Sequence, residues 1–162
     1  MIDSLEKLDV KIFKTPKEGS AYVARVIADL IHKKNEEGKK AVIGLATGST
    51  PKSLYAELVR MHREEGLSFK NVITFNLDQY YPMEADALNS YHYFMRKYLF
   101  EQTDIDPKNY FLPNGMIPKE KIKEHTADYE KKIADAVLAR LSPLSESAIA
   151  HPLTSNSCSR MI

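Results

Sequence analysis

Continuous apolar runs of strand length separate segments whose apolar positions recur every three or four residues. Residues 40–46 (KAVIGLA) and 71–77 (NVITFNL) show no polar alternation. Such runs are typical of strands in a parallel sheet whose two faces are both covered. Residues 109–112 predict a third, shorter strand, and the apolar run at residues 10–13 predicts an edge strand.

Helical periodicity fills the intervals between these runs. The first helix is predicted over residues 16–34, where Thr15 is the N-cap, Pro16 lies in the first turn and Glu18 closes a capping box. Three later helices are predicted to start at capping or helix-opening residues: Pro51, Asn89-Ser90 and Pro118. The resulting order, β-α-β-α-β-α, predicts an α/β fold with a doubly wound, mainly parallel sheet and flanking helices, Rossmann-like and three-layered but incomplete.

Composition divides the chain into two parts. No aromatic residue follows Tyr129, no lysine follows Lys132, and six of the 21 residues from Ser142 onward are serine. We therefore assign residues 1–136 to the amino-terminal part of the α/β domain. Residues 137–162 are interpreted as an atypical tail, disordered or truncated.

The charge balance, the lengths of the apolar runs and the cysteine count argue against several classes of partner and location. The net charge of +1 arises from 23 basic and 22 acidic residues, which gives no support for a nucleic-acid or membrane-surface partner. The amino terminus has no apolar segment of the kind found in signal peptides, and no apolar run approaches membrane-spanning length. The single cysteine, Cys158, cannot form an internal disulfide. A cytoplasmic location is predicted.

The sequence GLATGSTP (residues 44–51) lies between a predicted buried strand and a helix. Ligands of parallel α/β sheets bind at the carboxyl ends of strands, and a helix amino terminus offers N–H groups to an anion. Gly48 would let the backbone approach a phosphate closely, while Thr47, Ser49 and Thr50 would add hydroxyl groups. The alternative is a tight strand-to-helix turn without a ligand. The motif lacks the pattern of a nucleotide-binding loop, which favours a small phosphorylated metabolite.

A second candidate is Asp78, in FNLDQYYP (residues 75–82) directly after a predicted strand. A carboxylate at this edge of the sheet could take a proton from a substrate whose phosphate lies nearby. The alternative is that Asp78 caps a turn or pairs with a lysine. His92 could line the same pocket. No pair of histidines has the spacing of metal ligands with an acidic partner, so no metal is expected.

These two motifs, followed by SYHYFM (residues 90–95) and LFEQTDIDPKNYFLPNG (residues 99–115), resemble the glucosamine-6-phosphate deaminase/isomerase family from about residue 10 to about residue 136. The resemblance implies a fold related to 6-phosphogluconolactonases. It also implies conversion of glucosamine 6-phosphate and water to fructose 6-phosphate and ammonia, without a cofactor and with homo-oligomers possible.

The resemblance assigns a role to each matching residue. Asp78 would move a proton between C2 and C1 of the opened sugar. The sugar phosphate would be held by the turn formed by Thr47, Gly48, Ser49 and Thr50. The similarity to the family resumes in the tail at NSCSRMI, where Arg160 would also contact the phosphate.

Two departures from the family pattern stand out. Gln79 occupies a position where the family usually has Glu, so Asp78 lacks a charged neighbour and should have a lower pKa than beside Glu. The tail lacks the family's G-x-G-x-x-G-H-x-x-F-N-E-P stretch, which supplies ring-opening groups, and the surroundings of His151 do not match it. An impaired deaminase is expected. A non-catalytic sugar-phosphate-binding protein and a 6-phosphogluconolactonase-like relative are the alternatives.

Overall fold

Helices and strands alternate along residues 10–138, the part of the chain described by the computed structural model. The helices are α1 (Pro16–Glu36), α2 (Lys52–Glu65), α3 (Tyr91–Tyr98) and α4 (Ile122–Leu138). The strands are β1 (Ala41–Leu45), β2 (Val72–Asn76) and β3 (Tyr110–Phe111). Short 3-10 turns at Phe100–Gln102, Pro107–Asn109 and Lys119–Lys121 complete the connections.

The three strands form one parallel sheet in the order β1-β2-β3. Leu45 of β1 pairs with Asn76 of β2, and Thr74 of β2 pairs with Tyr110 of β3. The connections β1-α2-β2 and β2-α3-β3 therefore advance across the sheet in one direction, which places α2 and α3 on the same side. The predicted α/β class and parallel sheet are confirmed.

The main core lies between this side of the sheet and the first three helices. Ala41 and Leu45 of β1 and Val72 of β2 face the helices and are buried. The largest helical contributors to the core, together with Leu99 directly after α3, are nearly inaccessible to solvent: Ile31, Tyr55, Leu58, Met61 and Met95. The apolar positions that predicted amphipathic helices thus meet one side of the sheet.

Helix α4 covers the opposite side of β2 and β3. The rings of Phe75 and Phe111 stack with centroids 5.0 Å apart, and the Tyr129 ring meets Phe75 edge-on at 5.8 Å. The Tyr129 hydroxyl also lies 2.9 Å from the carbonyl oxygen of Asn76 and 3.0 Å from that of Phe111. Helices occupy both sides of the sheet, as the doubly wound prediction requires.

The start of α1 follows its predicted capping, with one difference. The Thr15 hydroxyl accepts a hydrogen bond from the Glu18 amide at 3.2 Å, but the Glu18 carboxylate accepts from the amide of Lys14 rather than that of Thr15. The predicted strand at residues 10–13 is wrong. No strand is assigned there, and Phe13 packs its ring 5.3 Å from that of Tyr22 on α1. An apolar run becomes a strand only where a neighbouring backbone is available for pairing.

Candidate functional site

The ends of β1 and β2 lie side by side at one edge of the sheet. Leu45 and Asn76 are paired as the last residues of their strands. The carbonyl oxygen of Leu45 accepts hydrogen bonds from the Leu77 amide at 3.2 Å and from the Asn76 side-chain amide at 3.3 Å. The segments that follow, residues 46–50 and 77–79, therefore leave the sheet next to each other.

The turn after β1 leads into α2 with an open helix start. Gly48 has φ +105°, a left-handed conformation that L side chains rarely adopt. Pro51 is the N-cap, no side chain caps α2, and its first turn contains no acidic residue. The first N–H groups of a helix have no partner within the helix, and the positive end of the helix dipole favours an anion there. This geometry suits a phosphate.

The turn is supported from inside the protein by Tyr55 of α2. The Tyr55 side chain is buried, and its hydroxyl donates a hydrogen bond to the carbonyl oxygen of Ala46. Burial raises the pKa of the Tyr55 phenol, so the group stays neutral and keeps its proton for this bond. The backbone that precedes Thr47 is thereby fixed to the helix that follows the turn.

Asp78 is partly buried and is the second residue after the end of β2. Burial raises the pKa of its carboxyl above the ordinary value, because removal from water disfavours the charged form. A carboxylate whose pKa is shifted towards the working pH is better suited to exchange protons with a substrate.

Tyr91, the first residue of α3, connects the two segments, and sequence reasoning did not single it out. Its hydroxyl lies close enough to those of Tyr80 and Thr47 to interact with both. The Tyr80 hydroxyl raises the pKa of Tyr91 most strongly, burial and the nearby charge of Asp78 raise it further, and Thr47 lowers it. Thr47, Asp78 and Tyr91 therefore share one neighbourhood. The Ser90 N-cap predicts that Tyr91 lies in the first turn of α3, but it does not predict where the Tyr91 side chain points.

The loop after Asp78 rests against a second loop that contains Gly115. The Met83 amide donates to the Gly115 carbonyl oxygen at 2.9 Å, and the Tyr81 hydroxyl donates to the Ile117 carbonyl oxygen at 2.9 Å. His92, a candidate from the sequence, has its Nε2 atom 3.2 Å from the carbonyl oxygen of Pro113. This contact gives His92 a structural role between α3 and the loop that contains Gly115.

A cavity that Asp78 lines lies between these loops and α4. Asp78, Gln79, His125 and Glu130 are among the residues that line it. His125 is already engaged there, since its Nε2 accepts a hydrogen bond from the Asn114 amide at 3.2 Å. Asp78 thus borders both the cavity and the neighbourhood of Thr47.

The remaining predictions from the sequence concern Arg160, metal binding and membrane spans, and they can be compared only with the described residues. Arg160 and the tail from residue 139 lie outside them. Within residues 10–138, no group of three or more His, Cys, Asp or Glu side chains is arranged to hold a metal ion. Over the same residues, no helix combines the length and apolar character needed to cross a membrane.

Replacing Asp78 with Asn is expected to raise the thermal stability of the chain at neutral pH. A folded-state pKa above the unfolded value means that ionised Asp78 costs folding free energy, and this cost accumulates as pH rises through the two pKa values. The gain in melting temperature should therefore be present at about pH 7 and vanish by about pH 3.

Asp104→Asn is the matched control for this prediction. Burial raises the pKa of Asp104, but hydrogen bonds from the Phe69 amide (2.6 Å) and the Ser68 hydroxyl (2.7 Å) outweigh it and lower the pKa overall. Asp104 therefore stabilises the fold above its unfolded pKa, and this contribution is lost as pH falls. Asp104→Asn should lower the melting temperature at neutral pH. Equal shifts of the same sign in both variants would contradict the assignment.

The chain is similar to known proteins of one family. The family model for glucosamine-6-phosphate isomerases and 6-phosphogluconolactonases matches residues 14–148. A putative glucosamine-6-phosphate deaminase-like protein of Bacteroides thetaiotaomicron is 43% identical over 133 residues, which cover 82% of this chain and 20% of that protein. The glucosamine-6-phosphate deaminase of Bacillus velezensis is 48% identical over 98 residues, which cover 60% of this chain and 39% of that protein.

A solved structure leads to the same family. The structure of a monomeric glucosamine-6-phosphate deaminase superposes with a TM-score of 0.73 at 38% identity and covers 79% of this chain. The match covers 51% of that protein, so the chain spans about half the length of its solved relative. The chain belongs to the family of glucosamine-6-phosphate isomerases and 6-phosphogluconolactonases.

Proposed function

We propose that this chain provides the phosphate-binding turn and the proton-transferring carboxylate of a glucosamine-6-phosphate deaminase. The single observation that carries the proposal is the position of residues 47–50 and Asp78 at the ends of two paired parallel strands. One substrate can meet both groups because the two segments leave the sheet side by side.

In the proposed reaction, the phosphate of the open-chain sugar lies against the turn at residues 47–50. The Asp78 carboxylate removes the proton from C2, which leaves an enol-type intermediate, and returns that proton to C1. Water then takes the place of the amino group at C2, and ammonia leaves. The net change is glucosamine 6-phosphate and water to fructose 6-phosphate and ammonia. One carboxylate over one face of the substrate suffices for both proton transfers.

The turn favours a phosphate over a neutral sugar for three reasons. The amino end of α2 carries neither a side-chain cap nor an acidic residue in its first turn, so it attracts an anion. Gly48 leaves the backbone open, since nothing lies within 4 Å of the position that a Cβ would take. Thr47 contributes a hydroxyl group beside that of Tyr91. In this proposal Arg160 is a further contact to the phosphate.

Other features of the proposal come from the family resemblance and from the composition of the chain. The partner is a small sugar phosphate and no cofactor takes part. We assign residues 1–136 to the amino-terminal part of the catalytic domain and residues 137–162 to the atypical tail. The chain functions in the cytoplasm, and association into homo-oligomers is possible. The tail lacks the glycine-rich stretch that supplies ring-opening groups in the family, so turnover by this chain should be slow.

The proposal is tested by measuring ammonia release from glucosamine 6-phosphate by the 162-residue chain. We expect slow release that Asp78→Asn abolishes, because the proton between C2 and C1 then has no carrier. Asp86→Asn is the control, since it removes the same charge from an exposed position where Asp86 pairs with Arg96 at 2.7 Å. Equal ammonia release by wild type and Asp78→Asn would contradict the catalytic role.

The alternatives give different results in the same experiment. A non-catalytic sugar-phosphate-binding protein would bind glucosamine 6-phosphate without releasing ammonia, and Asp78→Asn would leave its affinity unchanged. A 6-phosphogluconolactonase would hydrolyse a phosphorylated sugar lactone instead, a reaction that needs no proton transfer between C2 and C1.

A further inference from the structure

The side chain of Gln79 joins two separate segments of the candidate site. Its Oε1 atom accepts hydrogen bonds from the Tyr80 amide at 2.9 Å and from the Tyr91 amide at 3.1 Å. Only the carbonyl end of the amide can accept both bonds, because its nitrogen is a donor. The orientation of the Gln79 side chain is therefore determined by its two partners.

This orientation has a cost that the two bonds must offset. The Nε2 atom of Gln79 is buried and has no hydrogen-bond partner among the described residues. A buried donor without a partner has lost its hydrogen bonds to water, which destabilises the folded chain. The side chain nevertheless keeps its carbonyl towards Tyr80 and Tyr91, which indicates that holding these two amides dominates its placement.

The Tyr91 amide is a group that α3 cannot satisfy by itself. The first N–H groups of a helix have no partner within the helix. Ser90, the N-cap, accepts the bond from the Tyr93 amide at 3.0 Å, and Gln79 accepts the one from Tyr91. Gln79 thus acts as a second cap, supplied by the loop that follows β2.

We call the two hydrogen bonds that Gln79 accepts from the Tyr80 and Tyr91 amides the clamp. The clamp connects Asp78 with the turn at residues 47–50, the two groups of the proposed function. Gln79 follows Asp78 directly in the chain, and Tyr91 lies beside Thr47 in space. The rings of Tyr80 and Tyr91, whose amides Gln79 holds, are 4.7 Å apart. If the clamp opened, the Asp78 loop and the first turn of α3 could move apart.

We propose that Gln79 is a positioning residue, which holds Asp78 at a fixed distance from the turn at residues 47–50 by clamping the loop after β2 to the first turn of α3. The clamp is a property of the folded chain, and its effect on ligand binding rests on the proposed function. A neutral amide makes this clamp without placing a second negative charge beside Asp78.

Gln79→Glu and Gln79→Leu separate two properties of the Gln79 side chain: its hydrogen-bond acceptor and its lack of charge. A carboxylate oxygen can accept both backbone N–H groups, so Gln79→Glu should keep the clamp. Its charge should raise the pKa of Asp78, since like charges disfavour ionisation. Gln79→Leu removes the acceptor and leaves both amides unpaired. The other groups near Asp78 are the same in every variant: Tyr80, Tyr91, His125 and Glu130.

The experiment measures three quantities by NMR on the 162-residue chain: hydrogen exchange of the Tyr91 amide, the pKa of the Asp78 carboxyl, and affinity for inorganic phosphate. In Gln79→Leu we expect Tyr91 exchange to accelerate about tenfold and phosphate affinity to fall about tenfold, the effect of losing roughly one buried hydrogen bond. In Gln79→Glu we expect unchanged Tyr91 exchange and a higher pKa for Asp78.

Gln102→Leu is the matched control, because the Gln102 side chain accepts its bond from Arg63 on the surface rather than at the site. It should change none of the three quantities. Unchanged Tyr91 exchange in Gln79→Leu, or lost protection in Gln79→Glu, would overturn the clamp. A wild-type chain that does not bind phosphate, together with faster Tyr91 exchange in Gln79→Leu, would contradict the proposed function and support the clamp.

Discussion

Gly115→Ala is expected to destabilise the chain by about 3 kcal/mol or more and to displace the loop that follows Asp78. A Cβ at this position would lie 2.5 Å from the carbonyl oxygen of Met83 and 2.7 Å from that of Tyr80. Both atoms belong to the backbone, so no side-chain rotation relieves the clash. Overpacking a core typically costs 1–3 kcal/mol, and contact with two backbone atoms should reach or exceed the upper end of that range.

Gly44→Ala is the control for this substitution. Gly44 lies in β1, is exposed, and has nothing within 4 Å of a Cβ position. Alanine in a strand interior restricts the unfolded chain, so Gly44→Ala should be neutral or slightly stabilising. Denaturant unfolding of both variants gives the comparison. Similar free energies of unfolding for the two variants would mean that the loops at Met83 and Gly115 are not in contact.

Gly48→Ala is expected to lose both stability and phosphate affinity. Its φ of +105° is unfavourable for alanine, and such backbone strain costs about 1–3 kcal/mol. The chain would relieve that strain by changing the turn, which would move the N–H groups away from the phosphate. We expect affinity for inorganic phosphate to fall at least about tenfold, or about 1.4 kcal/mol.

Gly66→Ala is the control that distinguishes backbone strain from a change in the phosphate-binding turn. Gly66 also has a positive φ, +74°, and nothing lies within 4 Å of its Cβ position, but it ends α2 at the end remote from the turn. It should lose a similar amount of stability and keep its phosphate affinity. Equal losses of affinity in the two variants would show that general destabilisation, rather than the geometry of residues 47–50, weakens binding.

The fold was predictable where one local pattern determines one element. Residues 40–46 and 71–77 carry uninterrupted apolar runs, and both form paired parallel strands, although Gly44 of β1 is exposed. The proximity of the segments after them followed from parallel pairing alone, because the ends of neighbouring parallel strands meet at one edge. Parallel pairing of the two strands therefore predicts that Thr47 and Asp78 lie near each other.

Features that depend on distant residues could not be predicted in this way. Gln79 and Tyr91 are separated by a loop whose path no local pattern determines, so their hydrogen bond was invisible in the sequence. The same holds for the contact between Gly115 and Met83. Residues 10–13 have the composition of a strand, but strand formation also requires a partner, and composition carries no information about that partner.

The most direct test is an NMR titration of the 162-residue chain with glucosamine 6-phosphate, following the amides of residues 47–50 and the carboxyl of Asp78. A single ligand that touches both groups must shift both sets of signals, with one dissociation constant. We expect this concerted shift, and we expect inorganic phosphate to compete for the turn. Saturation of the two sets at different ligand concentrations, or a shift in one set alone, would contradict the shared site.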